Sequence, residues 1–507
     1  MTTPSEGRFQ AGSNTHHACV LTAQPARRSL SPSTLMAFVA IAVLAVAGCQ
    51  GCGPSAAEVR SATDQASQRF HGAERQGLDA AGDRATAAAV GESARFVGAA
   101  IESFDAEGDA AFLATCRAHT RAGDAQAAVD CFAEATQAGA SSTAVLMGQA
   151  DALRANGQFP EAREVLTLLR DREPNNTAIR QALFSAWAED PEFVRPVHTL
   201  ERGVDYDLIR SLGGGSTITL RLQLGDDTLA ALKVDQTRRQ SNYRAEIAAY
   251  RLCPMLRCGF NIPYSYEVRI ERREFMRGYR ISSLDPEFLA THEGYAANFV
   301  DLIWTTEDGE SYLHGVWKAW ASHFTQFAIE YESVWEDWVV WDGDPTLLDQ
   351  PFEDAIRPLR GRDRGRYDEL LEERGDITTR SLARQISNLL VFDFLINNWD
   401  RFSGAYYGVN CQFADGHFLS LDNGAGFMTR EPERPRQRLH MVTRFSRTMI
   451  REIREMDTEA FLPVLFPNPT AQEEEMWEAF EVRRQELLQY VDELIEAHGE
   501  DQVLFFE

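Results

Sequence analysis

The 507 residues are enough for several domains with cores of their own, and a formal net charge of −26 makes the chain a poor candidate for binding nucleic acid. With 44% hydrophobic residues it is not disordered throughout. Of its 50 basic residues only Lys233 and Lys318 are lysine. Wherever a generic positive charge would serve, this sequence carries arginine, so each lysine asks for a reason.

The chain opens on a targeting segment rather than on fold. Arg27 and Arg28 precede the apolar run from Leu35 to Ala47, which suits the core of a signal peptide and is shorter than the ~20 residues a membrane-spanning helix needs. Val46-Ala47-Gly48-Cys49 closes the run and resembles the bacterial lipobox. The resemblance implies a lipoprotein signal peptide over 1–48 and lipidation of Cys49 as the mature N-terminus. The protein is then anchored in the bacterial cell envelope, and Gln50, standing where an Asp would retain it at the inner membrane, points to the outer membrane. Export permits disulfides. Cys116 and Cys131 could face each other across a helical hairpin, whereas Cys253 and Cys258 form a lone C-x4-C without the second pair of a zinc site. Both pairs read as disulfide or core cysteines before metal ligands.

Residues 49–190 are Ala-rich with apolar residues at helical spacing. Within them "AGDAQAAVDCF" at 122–132 returns as "NGQFPEAREVL" at 156–166, which aligns Gly123 with Gly157, Ala128 with Ala162 and Phe132 with Leu166. The period and the small-residue contact position resemble the tetratricopeptide repeat, with clear copies over about 107–176. Helices in 54–107 or 177–188 are needed to complete the stack. Such a region binds a peptide or protein partner or acts as a spacer, and it holds no catalytic cluster.

Prolines in "EDPEFVRP" mark a linker over 191–200. Residues 201–283 then read as a sheet lobe: three antiparallel strands within 208–234, followed by a helix at 241–252 capped by Ser241 or Asn242. The turn Gly213-Gly214-Gly215-Ser216 lets backbone amides approach a phosphate closely. Lys233, in the third strand, is a compact point charge of the kind that binds phosphate. Glu246, in the helix, is placed to hold a lysine from a neighbouring strand or to reach a metal. Residues 284–378 read as a Trp-rich acidic insert with part of a second lobe, and 379–507 as the remainder of that lobe. There the core helix of "SLARQISNLLVFDFLINN" delivers Asp400 into a loop, where a general base or orienting carboxylate must be. A hairpin comes next, with Asn410 before its first strand and Asp422 at the end of its second. An amide and a carboxylate so placed could converge on Mg²⁺ or Mn²⁺ against nucleotide phosphates.

The order of these parts is that of a protein-kinase-like phosphotransferase. More specifically, "AEIAAYRL", "DFLINNWDR" and "LDNGAGF" resemble the secretory-pathway kinases, the Golgi casein kinase and four-jointed family, over about 205–455. HipA-type kinases share the Asp-Arg feature more distantly. The resemblance implies an α+β fold, a two-lobed protein-kinase-like domain preceded by an all-α tetratricopeptide-like repeat domain. It makes Lys233 the phosphate-binding lysine, Glu246 its partner or a metal ligand, Asp400 the catalytic carboxylate and Asp422 the metal-binding one, with ATP or another nucleoside triphosphate and Mg²⁺ or Mn²⁺ as cofactors. Asn410 is assigned from its spacing to Asp422. Phe402 departs from the family, which carries His after Asp-Arg, and the loop from Asp400 to Asn410 is longer than in ordinary protein kinases. The expected activity is modification of a hydroxyl on a protein or glycan. Transfer of AMP, or an inactive pseudokinase platform, are the alternatives; the joint presence of Lys233, Asp400 and Asp422 speaks against a platform.

Overall fold

The computed structural model describes residues 106–200, 206–211, 217–224, 229–238, 241–282, 301–321, 332–350, 378–401, 410–414 and 416–507. The expected signal segment with Cys49 and the turn Gly213, Gly214, Gly215 and Ser216 lie outside the described residues. The chain divides into two compact units between Glu161 and Ala162.

In the first unit, α1 (Ala106–Ala122), α2 (Ala125–Gln137) and α3 (Thr143–Ala155) succeed one another with short turns. Asp124 caps α2 by accepting the Ala127 N–H at 3.0 Å. The repeat is visible in the backbone, since Gly123 and Gly157 both take the left-handed conformation, with φ of 76° and 75°, and so end the helices before them. Cys116, Ala128, Phe132, Ala135, Val145 and Ala152 form its core, and a disulfide joins Cys116 to Cys131 across the α1–α2 hairpin.

Helix α4 (Phe159–Arg172) crosses the division, and α5 (Thr177–Ala188), capped by the Asn176 side chain, opens the second unit. Most of the second repeat copy therefore falls in the second unit. A buried charge holds it there. Arg170 is fully enclosed and pairs with Glu452 at 3.2 Å and Glu455 at 2.6 Å, while Phe184 stacks on Phe461 with ring centroids 5.0 Å apart.

A mixed sheet comes next, built of β1 (His198–Leu200), β2 (Tyr206–Ser211), β3 (Thr219–Leu224), β4 (Leu229–Val234), β5 (Ser265–Glu271), β6 (Trp304–Glu307) and β7 (Glu310–Ala319). Its order is β1-β5-β7-β4-β3-β2, with β6 also paired to β7, and only β1 and β5 run parallel. The expected three-strand meander is β2–β4. The expected linker ends in β1, and β7, inside the stretch read as an insert over 284–378, is the central strand. The insert reading is corrected to that extent: Val316, Trp317 and Lys318 are all buried, so β7 lacks the alternation of a half-exposed strand and its Trp-rich composition hid it. Helix α6 (Tyr243–Met255) covers one face of the sheet, and α7 (Arg272–Ser282) brings Phe275 to the core on the other.

The helical lobe begins with α8 (Thr379–Leu395), buried nearly all round as a central helix should be. The hairpin β8 (Cys411–Ala414) and β9 (His417–Ser420) is next, then α9 (Glu433–Leu439), α10 (Arg447–Arg454), α11 (Thr458–Leu465) and α12 (Ala471–His498), the last opened by a Thr470–Glu473 capping box. Cys253 and Cys258 are buried free cysteines, which leaves the core role of the two expected for them.

Candidate active site

Four segments meet where the sheet lobe touches the helical lobe: β4, the first turn of α6, the loop after α8 and the turn after β9. Along β4, Ala230, Leu232 and Val234 point into the sheet core, and the alternation turns Lys233 to the other face, under α6. Asn242, of the two residues expected to cap α6, does so by accepting the Arg244 and Ala245 N–H groups. Ser241 instead accepts from Gln236 at 2.8 Å. The cap places Glu246 one turn in, buried, 3.0 Å from the Lys233 ammonium.

Lys233 also donates to Asp422 at 2.5 Å. Burial alone would discharge this lysine, but Asp422 and Glu246 outweigh it and push its pKa above the ordinary value. Burial likewise opposes ionisation of Asp422, and Lys233 and Lys318 overcome that to hold its carboxyl well below the usual range. Both groups are charged at neutral pH. Glu246 further accepts the N–H groups of Asn423 at 3.0 Å and Gly424 at 2.9 Å, which ties the Asp-Asn-Gly turn to α6.

Asp400 is half-buried in the loop after α8, with its N–H donated to the Asn398 side chain at 3.2 Å, and Asn398 in turn donates to the Asp422 carbonyl at 3.1 Å. One amide thus links the two aspartates. The Asp400 carboxyl is pushed up, first by burial and then by the charge of Asp422, while Lys233 and Arg401 oppose the shift. Asn410 donates to the Asp400 carbonyl at 2.8 Å, which sets its side chain at the Asp400 end of the site and pins the two ends of the intervening loop. Arg401, fully buried, forks onto Asp393 of α8 at 2.9 and 3.0 Å, and also donates to the Asn410 carbonyl at 2.7 Å and the Asn423 side chain at 2.6 Å. The guanidinium at the end of this helix is therefore the clamp that fixes the Asp400 loop.

Of the residues expected from sequence, Lys233, Glu246 and Asp422 come into direct contact, Asp400 feels the charge of Asp422, and Asn410 reaches the Asp400 backbone. Sequence reasoning missed Lys318, Arg401, Asp393 and Asn423 as parts of the site. For Lys318 the signal was present, as one of only two lysines in the chain. Among the described residues no group of three or more His, Cys, Asp and Glu side chains gathers as a metal-binding cluster.

The sequence profile of the tetratricopeptide repeat family matches residues 119–184. No curated protein sequence matches the chain significantly. Among solved structures the chain is similar to the Golgi casein kinase with Mn/ADP bound, at 12% identity and a TM-score of 0.39 over 65% of this chain and 79% of that one. It is similar also to the Golgi casein kinase in a second crystal structure, at 12% identity and a TM-score of 0.38 over 65% and 78%. A third, hydra Fam20 with sugar, aligns at 12% identity and a TM-score of 0.35 over 65% and 93%. In the order of its own parts, the chain is a set of helical repeats ahead of a two-lobed α+β domain.

Proposed function

We propose that the chain is a metal-dependent phosphotransferase that passes a phosphoryl group from a nucleoside triphosphate to a hydroxyl of a protein or glycan. The observation that carries the reading is the Lys233–Glu246 ion pair set against Asp422, with Asp400 close enough for Asp422 to raise its pKa. Asp400 accepts or orients the proton of the acceptor hydroxyl as its oxygen bonds to the γ-phosphorus. The bond from phosphorus to the bridging oxygen breaks, and the nucleoside diphosphate leaves with the electron pair. Lys233 offsets charge on the phosphates.

The charge of Asp422 raises the proton affinity of Asp400, a repulsion that a divalent cation beside the two carboxylates would relieve, and Mg²⁺ is ordinarily held by one or two carboxylates together with substrate phosphates. Asp422, with about a third of its side chain exposed at 34%, fits that role, and Asp400 with the Asn410 amide lies beside it. Such a cation would neutralise charge on the transferring group. The reading includes anchoring at the outer membrane through Cys49, supported by the lipobox-like sequence, and a protein partner at the repeats.

The test is the melting temperature of the chain from residue 49, with Cys49 and Cys52 replaced by serine, against ATP, GTP and ADP with Mg²⁺ or Mn²⁺. A metal-dependent rise that disappears in Asp422→Ala supports the site, and radiolabel transfer that disappears in Asp400→Ala supports the reaction. No rise with any pair overturns the reading.

A further inference from the structure

The chain's two lysines, both buried at 3% and 5% exposed, meet on one carboxylate. Lys233 lies 3.0 Å from Oε1 of Glu246 and Lys318 lies 2.6 Å from Oε2. Strand register explains the meeting: in the β4–β7 pair Lys233 lies opposite Val316 and Ala231 opposite Lys318, so both stems rise from the same face of the sheet toward α6. With the Asn423 and Gly424 amides, Glu246 has four donors on two oxygens, which is about the capacity of a carboxylate. Lys318 also donates to the Leu421 carbonyl, one residue before Asp422. The two lysines differ in one respect. Lys318 bonds Glu246 and backbone, whereas Lys233 divides itself between Glu246 and Asp422.

We propose that Lys318 is a positioning residue of the nucleotide site, the standing counter-ion of Glu246 that leaves the charge of Lys233 available to a phosphate. The proposal rests on the nucleotide reading above. Two ammonium groups and two carboxylates balance in this cluster. When Asp422 turns to a cation, Lys233 can turn to a phosphate only if Glu246 is satisfied without it. Lys318 and the two amides satisfy it. Without Lys318 one buried carboxylate is uncompensated, Lys233 is held on Glu246, and the turn bearing Asp422 loses the bond to Leu421. Glu246, of the two roles expected for it, then serves as lysine partner and not as metal ligand.

A chain with two lysines is suited to a direct test. Protein labelled with [ζ-15N]lysine has two side-chain ammonium signals, assigned with Lys318→Arg, and is titrated with Mg²⁺ and ADP. The Lys233 signal is expected to shift and the Lys318 signal to stay in place. Binding of ADP by Lys318→Met is expected to weaken about tenfold to a hundredfold, as for other groups that orient a ligand without touching it, with partial recovery in Lys318→Arg. A Lys318 signal that moves as far as that of Lys233 overturns the proposal, and so does a folded Lys318→Met that binds ADP as tightly as the parent. If Lys318→Met does not fold, the spectra of the parent protein decide. Failure of the parent to bind any nucleotide overturns the nucleotide reading itself, and this proposal with it.

Discussion

Gly424 lies so close to Lys233 that a Cβ on it would stand 2.6 Å from the lysine Nζ and 3.2 Å from Oε1 of Glu246. The glycine of the Asp-Asn-Gly turn is thus required by an approach of side chains to backbone, and not by its own φ. Gly424→Ala must push the ammonium or the turn aside in a buried site, which costs about 1–3 kcal/mol as overpacking does. Urea denaturation is expected to show a loss of that size. Nucleotide binding should fall with it, since the displaced atom is the one assigned to phosphate. A variant as stable as the parent would show that the turn relaxes freely.

Arg401 invites a second substitution. Its guanidinium reaches Asp393, Asn410 and Asn423 at once, from a position fully out of water. Removing one partner of a buried pair leaves the other uncompensated, so Arg401→Ala is expected to destabilise the protein by about 3–5 kcal/mol. Lysine cannot serve three directions with one ammonium as the planar fork does, and Arg401→Lys should recover less than half of the loss. Equilibrium denaturation of the two variants measures both numbers; full recovery by lysine would mean that charge alone matters here.

Much of this site was legible because its parts are local in sequence. Glu246 follows its helix cap within a turn, and Asp400 follows the end of a core helix, so spacing alone placed them. Lys233 could be singled out because arginine is otherwise so uniform. The same uniformity hid Arg401 and Arg170, whose burial gives no mark in a chain full of arginine. Lys318 was noticed but not placed, since it lies 72 residues after Glu246 in a strand that does not alternate. The division of the chain between Glu161 and Ala162 was illegible for a related reason. Both repeat copies have the same helical pattern, and what distinguishes the second is the packing of Arg170 and Phe184 on the distant Glu452 and Phe461.

The raised pKa of Asp400 sets the sign of a pH effect. Burial and Asp422 make the folded protein hold this proton more tightly than the unfolded chain, whose value is near the ordinary ~3.9. The stability linked to it is fully present below that value and is lost as pH rises through the folded pKa. Asp400→Asn is therefore expected to be more stable than the parent at neutral pH, while phosphoryl transfer disappears. For the parent, the acid limb of the kcat profile should fall above the ordinary carboxylate range, and a midpoint at or below ~3.9 would contradict the assignment of Asp400 as the proton acceptor.

His314 carries a pH dependence of its own, away from the chemistry. Its Nδ1 lies 3.3 Å from Glu267 and its Nε2 3.2 Å from Glu307, and Glu267 also accepts the Tyr243 hydroxyl at 3.0 Å. Glu267 is the main cause of an upward shift in the imidazole, which burial opposes and Glu307 supports. The charged groups facing it include Asp235, which the His314 charge in turn favours in its ionised form. A histidine whose folded pKa exceeds the ordinary ~6.5 gives stability that is complete below that value and lost as pH rises through the folded pKa. The melting temperature of the parent should therefore fall, relative to His314→Gln, as pH is raised from below 6.5 through the shifted value. Parallel curves for the two proteins across that window would show that the imidazole stays neutral between its two carboxylates.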